Sequence, residues 1–397
     1  MTGDLEPPLA LCYTSTGRII SRWVDKVVRI GIDASRATVR DRTGTENYSL
    51  RLLSELLQLD ANNEFVLYFR DQPDPKLAVP DRDGVTCRVM TFPRLWTHVR
   101  LSWEMLTNSL DVLFVPAHVL PVIHPPHTVV TIHDLGYLYH RHAHRTVDWL
   151  HLHASTLYNA RSATKVIADS EATRRDLVEK YSIDADKIVT IYLAHDENFR
   201  PVEDPNVVSA ALERYGIEGE YFLCLGTMQP RKNLSGALSA YAMMRRLSDV
   251  KHKLVVAGKR GWLSEAIVKK ARALGIENEV IFTGYVAEED LPAVLGGATA
   301  LVFMSLYEGF GLPALEAMAC GTPVIASNVS SLPEVVGDAG ILLDPQDIAS
   351  VSSAMTRIAT EPGLRAELSG RGMERARLFS WRRCAEETLQ VLREAAD

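Results

Sequence analysis

Residues Glu308 to Glu316 read Glu-Gly-Phe-Gly-Leu-Pro-Ala-Leu-Glu. The apolar run Ala300 to Met304 before them has the character of a buried strand, and Leu315 to Cys320 reads as a helix stopped by Gly321. Pro313 suits a first helical turn, where a missing backbone N–H costs nothing. Two glycines at such a corner, Gly309 and Gly311, let backbone N–H groups approach an anion, and the helix N-terminus adds partial positive charge. The corner is predicted to seat a phosphate. Glu308 stands at its mouth and Glu316 one turn into the helix. A carboxylate accepts hydrogen bonds but repels phosphate, so both acids should face hydroxyl groups on either side of the phosphates. A diphosphate with a hydroxylated ring at each end is a nucleotide-sugar. The string Gly309 to Ala314 also matches the G-x-G-x-x-A fingerprint of dinucleotide sites, but lies far from the first strand, where that fingerprint belongs. A tight turn with two solvated glutamates is the plain alternative. Gly, Pro and paired Glu all agree with the ligand geometry instead.

A chain of 397 residues exceeds the usual size of a single core, so two domains are expected. The net charge of −7 argues against nucleic acid as a partner. Five scattered cysteines, odd in number and without a C-x-x-C, read as reduced thiols of a cytoplasmic protein. No apolar run approaches the length of a membrane span. Residues 1–26 lack the apolar centre of a signal peptide and read as an extension.

Short β-branched runs alternate with longer amphipathic ones. Strands are predicted at Val27 to Ile32, Phe65 to Phe69, Val112 to Val115, Val129 to Ile132, Lys165 to Ala168 and Ile188 to Ile191. The first is followed by a helix from Tyr48 to Leu59. A second series runs through Tyr221 to Leu225, Lys253 to Ala257, Val280 to Phe282, Ala300 to Met304 and Pro323 to Ala326. Continuous apolar strands separated by helices indicate α/β domains with parallel sheets covered on both faces. Two doubly wound, Rossmann-like domains are expected, at 27–200 and 201–379, with Asp196 to Asn206 as the linker. A closing helix at 380–397 has no strand after it and is expected to return to the first domain.

Ligands of such sheets bind beyond the carboxyl ends of the strands. In the second half that rule singles out Gly226 to Asn233, where Asn233 is a good N-cap for a following helix. Arg231 and Lys232 then stand at a helix N-terminus, suited to a pyrophosphate whose charge grows as its bond to a sugar breaks. In the first half, His133 ends the string Val129 to Asp134 and is placed to bond a sugar hydroxyl, with Asp134 to fix its tautomer. A satisfied core histidine is the bland reading. His118 and Ser170 occupy similar strand-end positions. Gly44, in the loop between the first strand and its helix, allows backbone approach near the cleft. Nine of the twelve histidines lie between His118 and His153, but no cysteine or acid pair completes a metal site, and none is expected. Arg94 to Trp103 holds two tryptophans and two arginines; a buried helix face is expected there, with a membrane interface as the alternative.

These motifs together resemble the retaining GT-B glycosyltransferases of group 1, family 4, especially their bacterial mannosyltransferase-like branch. The resemblance runs from about Val27 to the C-terminus. It is strongest over Ser305 to Glu316 and Gly321 to Val324, with support from Gly226 to Asn233, Gly258 to Trp262, Gly284 to Val286, Ser330 to Glu334, Gly31 to Ser35, Ile132 to Asp134 and Ser170 to Thr173. It implies that Glu308 contacts donor-sugar hydroxyls and that Glu316 binds the ribose. It further implies that the main chain of Phe310 to Leu312 lies near the phosphate and sugar, and that Lys232 binds the diphosphate. The backbone around Val286 would meet the base, and His133 would reach the sugar from the acceptor domain. The family needs no metal, because cationic side chains serve the diphosphate. This chain departs from the family at Thr227, where an arginine is common and for which Arg231 is the substitute, and at Glu46, where a second glycine is frequent.

The expected activity is transfer of a hexose from a nucleotide-sugar to an acceptor hydroxyl with retention, in the synthesis of a cell-surface glycan or polysaccharide. No cofactor is expected. GDP-mannose is the preferred donor and a UDP-sugar the alternative; the acceptor is a glycan, a lipid-linked sugar or a small molecule. A cytoplasmic location with peripheral membrane contact through the first domain fits that role. A nucleotide-sugar epimerase on the same fold and a non-catalytic nucleotide-sugar-binding subunit are the rival readings.

Overall fold

The structure is a computed structural model describing residues 27–39, 44–73, 77, 79–117, 119–139, 141, 145–259, 261 and 264–397, with the backbone of 12–13 and 19–20 as a short antiparallel pair. The rest of the 1–26 extension, His118, His140, His142, His144, Arg260 and Trp262 lie outside the described residues.

Two parallel sheets form the frame. The first comprises β1 (Arg29–Asp33), β2 (Glu64–Phe69), β3 (Val85–Val89), β4 (Val112–Val115), β5 (Thr128–Ile132), β6 (Lys165–Ala168) and β7 (Ile188–Thr190), in the order β3-β2-β1-β4-β5-β6-β7. The second comprises β8 (Tyr221–Leu225), β9 (Lys253–Ala257), β10 (Val280–Gly284), β11 (Ala300–Phe303), β12 (Val324–Ser327) and β13 (Ile341–Leu343), in the order β10-β9-β8-β11-β12-β13. Every residue of β4, β5, β11 and β12 is buried, which is why these segments are largely apolar, interrupted by Thr128, Thr131 and Ser327, rather than alternating. In both sheets the chain reverses its direction of winding beside the first strand, between β1 and β4 and between β8 and β11. Such reversals open a crevice at the carboxyl ends of the strands, and here two crevices face each other.

Two strands escaped the sequence reading. Both are edge strands: β3 is largely exposed, with Thr86, Cys87 and Arg88 breaking its apolar pattern, and β13 is only three residues long. An edge strand needs apolar contact on fewer sides, so its signal is weak. The segment at 94–103 also differs from expectation. Trp96 is buried, its Nε1 donating to the Met90 carbonyl at 2.6 Å, whereas Trp103 is 64% exposed. Residues Trp96–Leu101 wind as a π-helix, and this wider turn breaks the 3.6-residue period that would have set both rings on one face.

The closing helix Trp381–Ala396 is capped by Ser380, whose Oγ accepts from the Arg383 N–H at 3.2 Å. It crosses back to lie on the helix Gly44–Leu59, burying Cys384, Ala385, Leu389 and Leu392, while Arg393 reaches Asp60 at 3.2 Å. Burial of each leucine is worth about 1.5–3 kcal/mol, so the helix fastens the second half of the chain to the first.

Candidate active site

The carboxyl end of β8 leads into the 3₁₀ turn Pro230–Lys232, and Asn233 then opens the helix Leu234–Leu247 by accepting from the Gly236 N–H at 3.2 Å. The carboxyl end of β11, the adjacent strand, leads to Glu308. Neighbouring strands thus deliver three charges to one point. Glu308 accepts from Arg231 Nη1 and from Lys232 Nζ, both at 2.7 Å. The Arg231 carbonyl accepts from the Leu306 N–H at 2.7 Å, tying the two loops together. Burial works against the Glu308 charge, but Lys232 and Arg231 outweigh it and hold its carboxyl below the usual carboxylate range. Burial also pulls the Lys232 ammonium below its ordinary value, and Glu308 offsets only part of that. The Lys232 ammonium lies 4.7 Å from the centre of the Phe303 ring. The result is a cationic pair only half neutralised by a single acid, with Lys232 nearly dry and Arg231 30% exposed.

Gly311 begins the helix Leu312–Ala319 at φ +112°, a conformation natural to glycine alone, with Leu332 closing the space a side chain would need. This helix starts three residues before the expected Leu315, so Leu312 stands in its first turn. Gly309 has a different reason for being glycine. A Cβ there would collide with the His133 carbonyl oxygen and come within 2.7 Å of the Asp134 Cβ. The corner predicted to admit an anion also admits the backbone of the opposite domain. Phe310 is buried against Tyr192 and Phe379, with ring centres 6.0 and 5.8 Å away.

Glu316 lies one turn further along this helix, and among the described residues no side chain hydrogen-bonds its carboxyl. Burial, with Asp196 and Glu288 nearby, pushes it up to about 8, against the pull of Lys232. An unpartnered, partly buried acid facing a cleft is costly unless a ligand supplies donors. Gly44 is the first residue of the helix Gly44–Leu59 rather than part of a free loop, and it faces Leu312, the nearest side chain, across the cleft. Val286 is buried just beyond β10.

His133 closes β5, but its partner is not Asp134. Its Nδ1 lies 2.7 Å from Asp169 Oδ2 and its Nε2 2.9 Å from the Pro116 carbonyl. The Asp134 carboxylate instead accepts from the Gly136 N–H at 3.0 Å. Burial opposes a charged imidazole, yet Asp169 and the Pro116 carbonyl hold His133 above its ordinary value. With acceptors on both nitrogens, the ring suits an imidazolium held in place. Asp169 is 36 residues away in sequence, at the end of the adjacent strand β6, and no local spacing points to it.

The sequence reading also missed the residues that join the domains. Tyr307 donates to Asp176 at 2.8 Å and stacks on Tyr139 at 4.8 Å between ring centres. Ser170, singled out by its place after a strand and by the resemblance over Ser170 to Thr173, donates to the Gly309 carbonyl at 2.6 Å. Among the described residues no group of three or more metal-ligating side chains converges.

Against known proteins, residues 213–375 match the model of glycosyl transferases group 1, and residues 42–199 match that of glycosyltransferase family 4. The chain is 34% identical over 276 residues to O-antigen chain mannosyltransferase B of Escherichia coli, covering 68% of this chain and 72% of that one. It is 28% identical over 270 residues to the serotype-specific mannosyltransferase WbdA of Escherichia coli, but spans only 33% of that relative's length and 67% of its own. Among solved structures, sucrose-phosphate synthase from Thermosynechococcus elongatus shares the fold, with a TM-score of 0.69 at 21% identity over 92% of this chain and 98% of that one.

Proposed function

We propose, because the chain belongs to the group 1 and family 4 glycosyltransferases, that it moves a hexose with retention from a nucleoside-diphosphate sugar to an acceptor hydroxyl, without a metal ion. The observation that carries this reading is the meeting of Arg231 and Lys232 on one buried carboxylate, within electrostatic reach of the unpartnered Glu316. An incoming diphosphate supplies the two cations with a second acceptor. That frees Glu308 to receive hydroxyls of the donor sugar. Glu316 takes the ribose hydroxyls, the main chain around Val286 meets the base, and the main chain from Gly309 to Leu312 lies along the phosphate and sugar beside Gly44. His133, held between Asp169 and the Pro116 carbonyl, sets the first domain's wall against the sugar.

In the transfer step the bond from the anomeric carbon to the phosphate oxygen breaks, and the bond to the acceptor oxygen forms on the same face. The acceptor proton passes to the departing phosphate oxygen. Arg231 and Lys232, already fixed on Glu308, stabilise the charge that develops there. No separate general base is assigned.

GDP-mannose is the proposed donor, supported by the mannosyltransferase relatives, and the acceptor is a glycan or lipid-linked sugar of the cell surface. A calorimetric and donor-hydrolysis screen of GDP-, UDP- and ADP-sugars with EDTA present tests this. Binding and turnover of GDP-mannose are expected. A strict requirement for a divalent cation would defeat the metal-free mechanism, a sugar isomer as product would favour an epimerase, and binding without turnover would favour a carrier subunit.

No helix among the described residues is long and apolar enough to cross a membrane. The first domain nevertheless exposes Leu95, Trp103 and Leu106, each at least 60% accessible, beside Val99 and the basic Arg94. Val122 and Ile123 extend this patch, since the Ile123 N–H donates to Ser102 at 3.2 Å. Apolar and aromatic groups bordered by arginine suit an anionic bilayer surface, where a lipid-linked acceptor would be met. Cosedimentation with phosphatidylglycerol vesicles should be lost in Trp103→Ser; unchanged binding by that variant would reject this face.

A further inference from the structure

The segment Ser330–Glu334 has no part in the chemistry above, yet it touches both halves of the site. Ser330, held at φ +51°, accepts from the Glu308 N–H at 2.9 Å. The Ser331 hydroxyl lies 3.0 Å from the Glu308 carbonyl and 2.6 Å from the Phe310 carbonyl. Three residues on, Glu334 crosses to the first domain. Its two carboxylate oxygens accept from the N–H groups of Glu171 and Ala172, at 2.7 and 2.8 Å, in the first turn of the helix Glu171–Tyr181. The Tyr192 hydroxyl donates to the same carboxylate at 3.3 Å. From behind, Arg375 grips the carbonyls of Glu334 and Val335 at 2.6 and 3.0 Å. One domain thus caps a helix of the other. A carboxylate at a helix N-terminus satisfies amides that otherwise need water, and it meets the positive end of the helix.

We infer that Glu334 is a positioning residue for transfer: it latches the two domains so that the Glu308 loop, braced by Ser330 and Ser331, is set against the acceptor side. The latch has no contact with the nucleotide end of the site, so it acts on the closed arrangement and not on donor capture. Its fit depends on shape as well as charge. A glutamine in its place keeps the reach but presents an amide N–H to one of the two backbone N–H groups, and an alanine removes both acceptors. Ser170, which N-caps the same helix and donates to the Gly309 carbonyl, makes a second tie at the same seam.

This inference rests on the transferase reading above, and its test separates the two. For Glu334→Ala, transfer kcat should fall at least tenfold, while nucleotide affinity by calorimetry and donor KM stay within about twofold of wild type. Glu334→Gln should fall between. X-ray scattering of nucleotide-bound protein should show a larger radius of gyration for Glu334→Ala than for wild type, and this readout needs no turnover. Wild-type kcat in Glu334→Ala, or an unchanged radius of gyration, would overturn the latch. Equal losses of nucleotide affinity and kcat would also overturn it, since they mark a general structural defect. A wild-type protein that transfers from no sugar nucleotide would instead defeat the reading above, leaving the scattering comparison to judge the latch alone.

Discussion

Replacing Lys232 by alanine isolates the chemical role of one charge from the stability of the cluster around it. Glu308 loses one of its two cationic partners but keeps Arg231 at 2.7 Å, so no buried acid is left uncompensated. The ammonium is nearly buried, and its charge is already disfavoured by desolvation, so its removal relieves part of what it costs. What stability is lost comes from the stem and its contact with Phe303, about 1–2 kcal/mol, or a fall in melting temperature of a few degrees. The catalytic loss should be larger. Removing one preorganised contact to a developing charge costs about 3 kcal/mol of barrier, which is roughly a hundredfold in kcat. Glu308→Ala should cost more stability, about 3–5 kcal/mol, because it leaves the buried Lys232 and the partly buried Arg231 without their acid. Steady-state transfer kinetics with thermal melts on both variants make the comparison. Wild-type kcat in Lys232→Ala, or a melting loss as large as that of Glu308→Ala, would refute the reasoning.

Glu316→Ala should weaken nucleotide binding with little effect on folding, and unchanged affinity by calorimetry would reject the ribose assignment. In the wild type, nucleotide affinity should rise about tenfold between pH 7 and 9, as Glu316 ionises through about 8 and becomes a full acceptor. The sign for folding is the reverse: a carboxyl raised from 4.5 to about 8 favours the folded state at low pH, and that contribution is lost as pH climbs from about 4.5 through 8. Gly309→Ala should lower both kcat and melting temperature, because its methyl group meets the His133 carbonyl and must push the domains apart; a variant with normal kinetics would show that the seam opens freely.

Much of the architecture was legible because it is written in short windows. Strands such as Val112–Val115 are apolar at every position because both faces are buried, and that shows in four letters. Asn233 as a cap, Pro313 in a first turn and the glycine at 311 are likewise local, since the backbone groups they serve lie within a few residues. Arg231, Lys232, Glu308 and Glu316 could be gathered from sequence because open parallel sheets bring successive strand ends to one edge. That rule reaches only as far as the edge. It placed His133 there but offered Asp134, its neighbour in sequence, where the structure uses Asp169 on the next strand. The family resemblance took in Ser330 to Glu334 without showing that Glu334 closes a helix in the other domain.

The sequence by itself determined the two doubly wound sheets and the residue types that meet at the strand ends, because periodicity and turn chemistry act over a few residues. Only the tertiary structure decided which acid neutralises which base, that Gly309 makes room for the opposite backbone, and that Trp96 and Trp103 part company around a π-turn. Those outcomes depend on distances between segments far apart in the chain, and a hydrogen bond or a steric contact is decided by tenths of an ångström that no spacing of letters records.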